Sequence, residues 1–258
     1  MRTIVHLSDL HFGRIDEATL APLCDTVWSQ KPDVVAISGD LTQRAKPEEF
    51  TLARYFLDAL PEPVLVVPGN HDVPVWGRFR EPPMQRYETH ITKDLEPLIE
   101  DGEMCVAGLN TARAFAFQGG RLSHEQIALV KRRFGAAGPG TCKVLVAHHP
   151  LDVPGTWVNV RSARRSKKAF AEWTECGVDL ILGGHEHRSH ATDKPELLRH
   201  GKHQALMVQA GTATSTRRRG EPNSFNTIQV SERSIEVIRL DWNGKGFREA
   251  WRGRFDRT

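Results

Sequence analysis

Thr3-Ile4-Val5-His6-Leu7-Ser8-Asp9-Leu10-His11 begins as an apolar run and breaks off in a polar cluster. Residues 3–7 have the composition of a buried strand, and residues 8–11 have the composition of a site. The same punctuation recurs down the chain. Asp33–Ser38 runs into Gly39-Asp40, and Val64–Val67 into Gly69-Asn70-His71-Asp72. Lys143–Ala147 runs into His148-His149-Pro150, and Val178–Leu182 into Gly183-Gly184-His185-Glu186-His187. Helical periodicity fills the intervals at Ala18–Ser29, Pro47–Leu60, Ser123–Phe134 and Ser166–Cys176, the last stopped by Gly177. Ser123 and Gln126 have capping-box spacing. Met104–Leu109 is a further strand. Strands alternating with helices predict an α/β layered fold with a largely parallel sheet. The last third, with strands at Gln204–Gln209, Phe225–Val230 and Ile235–Leu240, predicts a second, more antiparallel sheet. In open α/β sheets sites form at the carboxyl ends of strands, so the five polar clusters are expected to converge.

The 258 residues, with 39% hydrophobic and 26% charged, suit a globular protein, read as one domain over 1–258. No run of roughly 18 apolar residues predicts a membrane span. Residues 1–9 read as a strand rather than a secretion signal, which predicts a cytoplasmic protein. Cys24, Cys105, Cys142 and Cys176 are too scattered for a zinc cluster and read as reduced thiols. A net charge of +3, from 35 basic and 32 acidic residues, argues against nucleic acid as a partner, although basic residues gather at Arg161–Lys168 and Arg217–Arg219. The sequence leaves a homo-oligomer open.

Taken alone, each polar cluster is an ordinary turn or helix cap. Five at once, each after a strand, point to one centre. Asp9, His11, Asp40, Asn70, His148, His185 and His187 offer carboxylate, amide and imidazole ligands without a thiolate. That set suits first-row divalent ions and is too rich in nitrogen for calcium or magnesium alone. Seven ligands exceed the need of one ion, so two ions sharing a carboxylate is the economical reading.

The order D-x-H, G-D, G-N-H-D, H, G-H-x-H over residues 9–187 resembles the calcineurin-like metallophosphoesterase superfamily, which includes purple acid phosphatases and Mre/SbcD-type nucleases. The resemblance implies two packed mixed β-sheets flanked by helices, a four-layer sandwich with the metals at one edge. It implies one ion on Asp9, His11, Asp40 and His187, and a second on Asp40, Asn70, His148 and His185, with Asp40 bridging. The ions would be divalent or mixed-valence manganese, iron or zinc. Such a pair acidifies a bridging water to hydroxide and clamps the attacking and leaving oxygens. His71, beside a ligand but not one itself, is expected to act as general acid or transition-state stabiliser, with Asp72 orienting it. His149 is ambiguous between a supporting and a core role. His6, His90, His124, His190, His200 and His203 match no motif position.

The expected substrate is a small-molecule phosphoester. In the loop after His148, Trp157, Asn159 and Arg161 are candidate substrate contacts; alternatively Trp157 packs the loop and Arg161 begins a solvated helix face. Residues 210–227 are similar to the segment after G-H-x-H in small bacterial members resembling class III cyclic-nucleotide phosphodiesterases and glycerophosphodiesterases. His71 stands where lipid A precursor hydrolases carry Arg. A phosphodiesterase on small diesters therefore leads, with a phosphomonoesterase, a nuclease or a non-catalytic metal-bound adaptor as alternatives. The Arg217–Arg219 run is either a source of positive potential at the metal edge or a solvated turn.

Overall fold

The computed structural model describes residues 1–74, 81–113, 119–151, 161–189, 196–200 and 203–257, with backbone alone at 196–200 and 203. In chain order the elements are β1 (Arg2–Leu7), α1 (Leu20–Ser29), β2 (Val34–Ile37), α2 (Pro47–Asp58), β3 (Val64–Val66), α3 (Gln85–His90), β4 (Leu98–Glu100), β5 (Met104–Leu109) and α4 (His124–Ala136). Then come β6 (Cys142–Ala147), α5 (Ser166–Glu175), β7 (Leu180–Gly183), β8 (Glu196–His200), β9 (His203–Gln209), β10 (Ser224–Val230), β11 (Ser234–Trp242) and β12 (Phe247–Asp256). Two six-stranded mixed sheets result, ordered β12-β11-β10-β1-β2-β3 and β4-β5-β6-β7-β9-β8.

Alternation along each strand builds four layers. On β1, Ile4 faces the other sheet, while Val5 and Leu7 face α1 and α2. The middle of the sandwich joins Ile4, Ala36, Leu65 and Ile228 of one sheet to Val106, Val144, Leu182 and Val208 of the other. The outer layers are Leu23, Val27, Phe50 and Phe56 on the first sheet, and Ile127, Val130, Phe134 and Trp173 on the second. The capping box expected at Ser123 forms: its hydroxyl accepts from Gln126 N, and the Gln126 amide oxygen accepts from Ser123 N.

The C-terminal strands do not make a sheet of their own. β10 pairs antiparallel with β1, in register Arg2↔Val230, and β11 and β12 continue outward from it. β9 instead pairs parallel with β7 in the other sheet. The local pattern names strands; it does not name partners, and the edge of β1 opposite β2 is what recruits β10. The parallel neighbours β1, β2 and β3, and likewise β6, β7 and β9, point their carboxyl ends the same way within each sheet. The polar clusters lie at those ends. Among the described residues no helix is long and apolar enough to cross a membrane.

Candidate metal centre

The loops leaving the strands stay tied together. Asp9 N donates to Gly39 O at 3.1 Å and His11 N to Asp40 O at 3.0 Å, which carries the β1–β2 pairing past the strand ends. Across the sandwich, His185 N donates to Asp9 Oδ2 at 3.0 Å. Five of the seven expected ligands sit in left-handed backbone: Asp9, His11, Asp40, His185 and His187 have φ between 53° and 78°. Such conformations cost non-glycine residues about 1–3 kcal/mol each and persist only where the surroundings impose them. Gly39, at φ 90°, makes the turn that sets Asp40, and a Cβ there would lie 2.8 Å from both Gly69 N and His148 Nδ1.

All seven side chains come together. In one cluster His11 Nε2 lies 3.0 Å from His187 Nε2, and Asp9 Oδ1 faces them at 3.7 and 3.3 Å. In the other, Asn70 Oδ1 lies 3.1 Å from His148 Nε2 and 2.8 Å from His185 Nδ1. Asp40 stands between, its Oδ2 at 3.6 Å from His11 Nε2 and its Oδ1 at 3.4 Å from His148 Nε2. Asp9, His11, Asp40 and His187 form one group able to hold a cation, and His148, His149 and His185 form another. The chemistry of the donors fits a metal. His148 Nδ1 donates to Ser38 O at 2.7 Å and His187 Nδ1 to Arg217 O at 3.0 Å. A carbonyl only accepts, so in the neutral rings both Nε2 lone pairs point into the clusters. Asp9 Oδ1, fully buried, has no protein hydrogen bond.

The electrostatics have one theme: two buried carboxylates in need of positive charge. Burial favours the neutral acids, but His187 holds Asp9, and His148 holds Asp40, below the usual carboxylate range. Burial also opposes charge on His148, yet Asp40 lifts it to about 9; burial and then His148 push His185 down to about 4.

His71 is half-buried beside the first cluster, its ring edge-on to His11 with centroids 4.8 Å apart. Its Nδ1 lies 2.7 Å from Gln43 O and its Nε2 2.8 Å from Arg217 Nη1. The Asp72 carboxylate is engaged by the neighbouring backbone. It accepts from Leu41 N, Thr42 N, Thr42 Oγ1 and Gly69 N, and so clamps the loop after β2 to the loop after β3. Burial and then the Asp40 charge raise its carboxyl to about 7. His149 is buried, with Nδ1 2.8 Å from Thr111 Oγ1. Of the expected substrate contacts, Trp157 and Asn159 lie outside the described residues and Arg161 is exposed.

Sequence reasoning missed three supports. Thr212 and Thr214 hydroxyls donate to Asp9 O and Leu10 O at 2.6 and 2.7 Å, which pins the β1 loop. Ser38 O holds a histidine from the other sheet. Arg217 touches His71. The hydroxyl run Thr212-Ala-Thr-Ser-Thr216 was the signal available for the first of these.

A family model described as calcineurin-like phosphoesterase matches residues 2–189. The chain is 25% identical over 209 residues to a protein of Haemophilus influenzae named 3',5'-cyclic adenosine monophosphate phosphodiesterase CpdA, covering 80% of this chain and 70% of that one. It is 30% identical over 166 residues to a probable glycerophosphodiester phosphodiesterase GpdQ of Arcobacter nitrofigilis, covering 63% of this chain and 59% of that one. Among solved structures, purple acid phosphatase PPD1 from yellow lupin superposes with a TM-score of 0.70 at 12% identity, over 100% of this chain and 54% of its own. The chain thus spans about half the length of that phosphatase.

Proposed function

The chain belongs to the calcineurin-like phosphoesterase family, metal-dependent phosphoesterases, and from that premise we propose that it hydrolyses small phosphodiesters at a centre holding two metal ions. The observation that carries this reading is Asp40, whose two oxygens each face a different cluster of nitrogen and oxygen donors. Asp9, His11, Asp40 and His187 would hold one ion, and Asp40, Asn70, His148 and His185 the other. When bound, the ions supply Lewis acidity toward the phosphoryl oxygens and an activated water as nucleophile. Manganese, iron and zinc all suit the donor set.

The remaining work falls to the chain. Ser38 O and Arg217 O orient His148 and His187 so that their Nε2 atoms face the two donor clusters, where they would hold the ions. Asp72 locks the turn that presents Asn70 and His71. His71 stands at the rim of the first cluster, beside Arg217, where it helps to stabilise charge developing in the transition state. Relatives named for a cyclic nucleotide and for glycerophosphodiesters support small diesters over monoesters. The 150–161 loop, with Trp157, Asn159 and Arg161, is proposed as the wall for the second organic group. Four unpaired cysteines support a reducing, cytoplasmic setting.

Metal-loaded protein assayed against matched diesters and monoesters tests the reading. Higher kcat/KM on bis-p-nitrophenyl phosphate, 3',5'-cyclic AMP or glycerophosphodiesters than on p-nitrophenyl phosphate is expected. Turnover of monoesters alone would overturn the diester preference.

A further inference from the structure

Three consecutive arginines come after the β9 loop, and they do different things. Arg218 pairs with Asp16 and Arg219 with Glu186. Arg217 has no carboxylate ion pair among the described residues; it turns inward, half-buried, and sets Nη1 2.8 Å from His71 Nε2. Its backbone is fixed at both ends, the N–H on Ser215 Oγ at 3.1 Å and the carbonyl accepting from His187 Nδ1 at 3.0 Å. The head of this side chain therefore stands at the rim of the first cluster, next to the residue expected to face the leaving group.

The bond to His71 has only one direction. A guanidinium donates and never accepts, so His71 Nε2 must be the acceptor. On the other side of the ring Gln43 O can only accept, so the proton sits on Nδ1. With Arg217 in place, His71 presents no N–H to a substrate from Nε2. The donor beside the cluster is the guanidinium, with five N–H groups of which one is spent on His71.

From this we propose that Arg217 is the phosphoryl-oxygen clamp of the site, held in position by His71 as a hydrogen-bond acceptor. A phosphodiester presents two non-bridging oxygens and one negative charge. A planar guanidinium fork meets that geometry with two parallel bonds, which an ammonium cannot do. Arg217 is then the catalytic residue and His71 its positioning residue, and the charge that builds on the phosphoryl oxygens meets a cation already in place. This rests on the phosphoester reading, but its test can be separated from it.

Orthophosphate binding to the manganese-loaded full-length chain, measured by calorimetry with metal content determined in parallel, is the assay. Arg217→Ala keeps the backbone carbonyl that orients His187, so metal content is expected to stay at the wild-type value. Phosphate affinity is expected to fall about 10- to 100-fold, the range of a lost charge-assisted bond. Added guanidinium should restore part of it. Arg218→Ala removes the same charge from the paired neighbour and should stay within about twofold. Should the alanine variant lose metal, Arg217→Lys carries the test: a clamp requires weaker binding than wild type. The proposal is overturned if Arg217→Ala with intact metal, or Arg217→Lys, binds phosphate within about twofold of wild type. It is overturned equally if Arg218→Ala loses as much as Arg217→Ala. If no diester is turned over yet this binding pattern holds, the diesterase reading fails and the clamp stands.

Discussion

Gly39→Ala should damage the centre without touching a ligand. Gly39 sits between Ser38, whose carbonyl holds His148, and Asp40, which faces both clusters. Its φ of 90° is open to glycine and strained for alanine, at about 1–2 kcal/mol. The new Cβ would meet Gly69 N and His148 Nδ1 at 2.8 Å and Gly69 Cα at 2.9 Å, where ordinary van der Waals contact begins near 3.4 Å. Two of those three atoms are backbone and cannot rotate away, so the loops after β2 and β3 must part by about half an ångström. Overpacking of this kind costs about 1–3 kcal/mol, which with the strain gives about 2–5 kcal/mol. For a chain of this size the melting temperature should fall by about 5–15 °C. Misplacement by 1 Å costs about 100-fold in rate, so half that shift should cost about tenfold in kcat on bis-p-nitrophenyl phosphate. Gly135→Ala is the matched control: it lies near the end of α4, meets nothing within 4 Å, and should stabilise by up to about 1 kcal/mol. Calorimetric melting and steady-state turnover on both variants decide the matter. If Gly39→Ala melts within 2 °C of wild type and keeps its turnover, neither the strain nor the close approach of the two loops is real.

Asp40→Ala should strip both ions, whereas Asn70→Ala should mainly weaken one; two ions per chain retained by the Asp40 variant, by elemental analysis, would rule out sharing. Burial holds the His6 imidazole down at about 3, so below the ordinary value near 6.5 the unfolded chain takes up a proton that the folded chain refuses. Stability therefore falls with pH through that window, by about 2 kcal/mol at pH 5. Denaturant titration of chelator-treated protein at pH 7 and 5 should show a loss about 2 kcal/mol larger in wild type than in His6→Gln, the other lowered histidines being common to both; equal losses in both would exclude His6 as a source. Asp72→Ala leaves the buried N–H groups of Leu41, Thr42 and Gly69 without their acceptor. It should cost about 3 kcal/mol or more, read as a lower denaturation midpoint, and an unchanged midpoint would show that water replaces the carboxylate freely.

What the sequence disclosed was local. Residues 3–11 announce a strand and then a site because apolar and polar residues are segregated over nine positions. The five clusters could be placed at strand ends for the same reason, and the structure does gather all seven proposed ligands. Partner choice was not legible. β10 pairs with β1 in one sheet and β9 with β7 in the other, although both lie in the same strand-rich third. β12 escaped notice because an edge strand alternates charge with aromatics, Arg248 and Glu249 before Trp251 and Phe255, instead of burying a continuous run. The partnership of His71 with Arg217 spans 146 positions, and no local pattern records it.

The pairing of Arg2 with Val230 also has a consequence in time. β1 leaves the ribosome long before the antiparallel neighbour it pairs with. At about 5–20 residues per second, some 230 residues of synthesis leave one flank of β1 bare for roughly 10–45 s. Thr212, Thr214 and Arg217, which brace the first cluster, emerge just before that neighbour. The nascent chain therefore exposes all seven proposed ligands before it can close the cage around them.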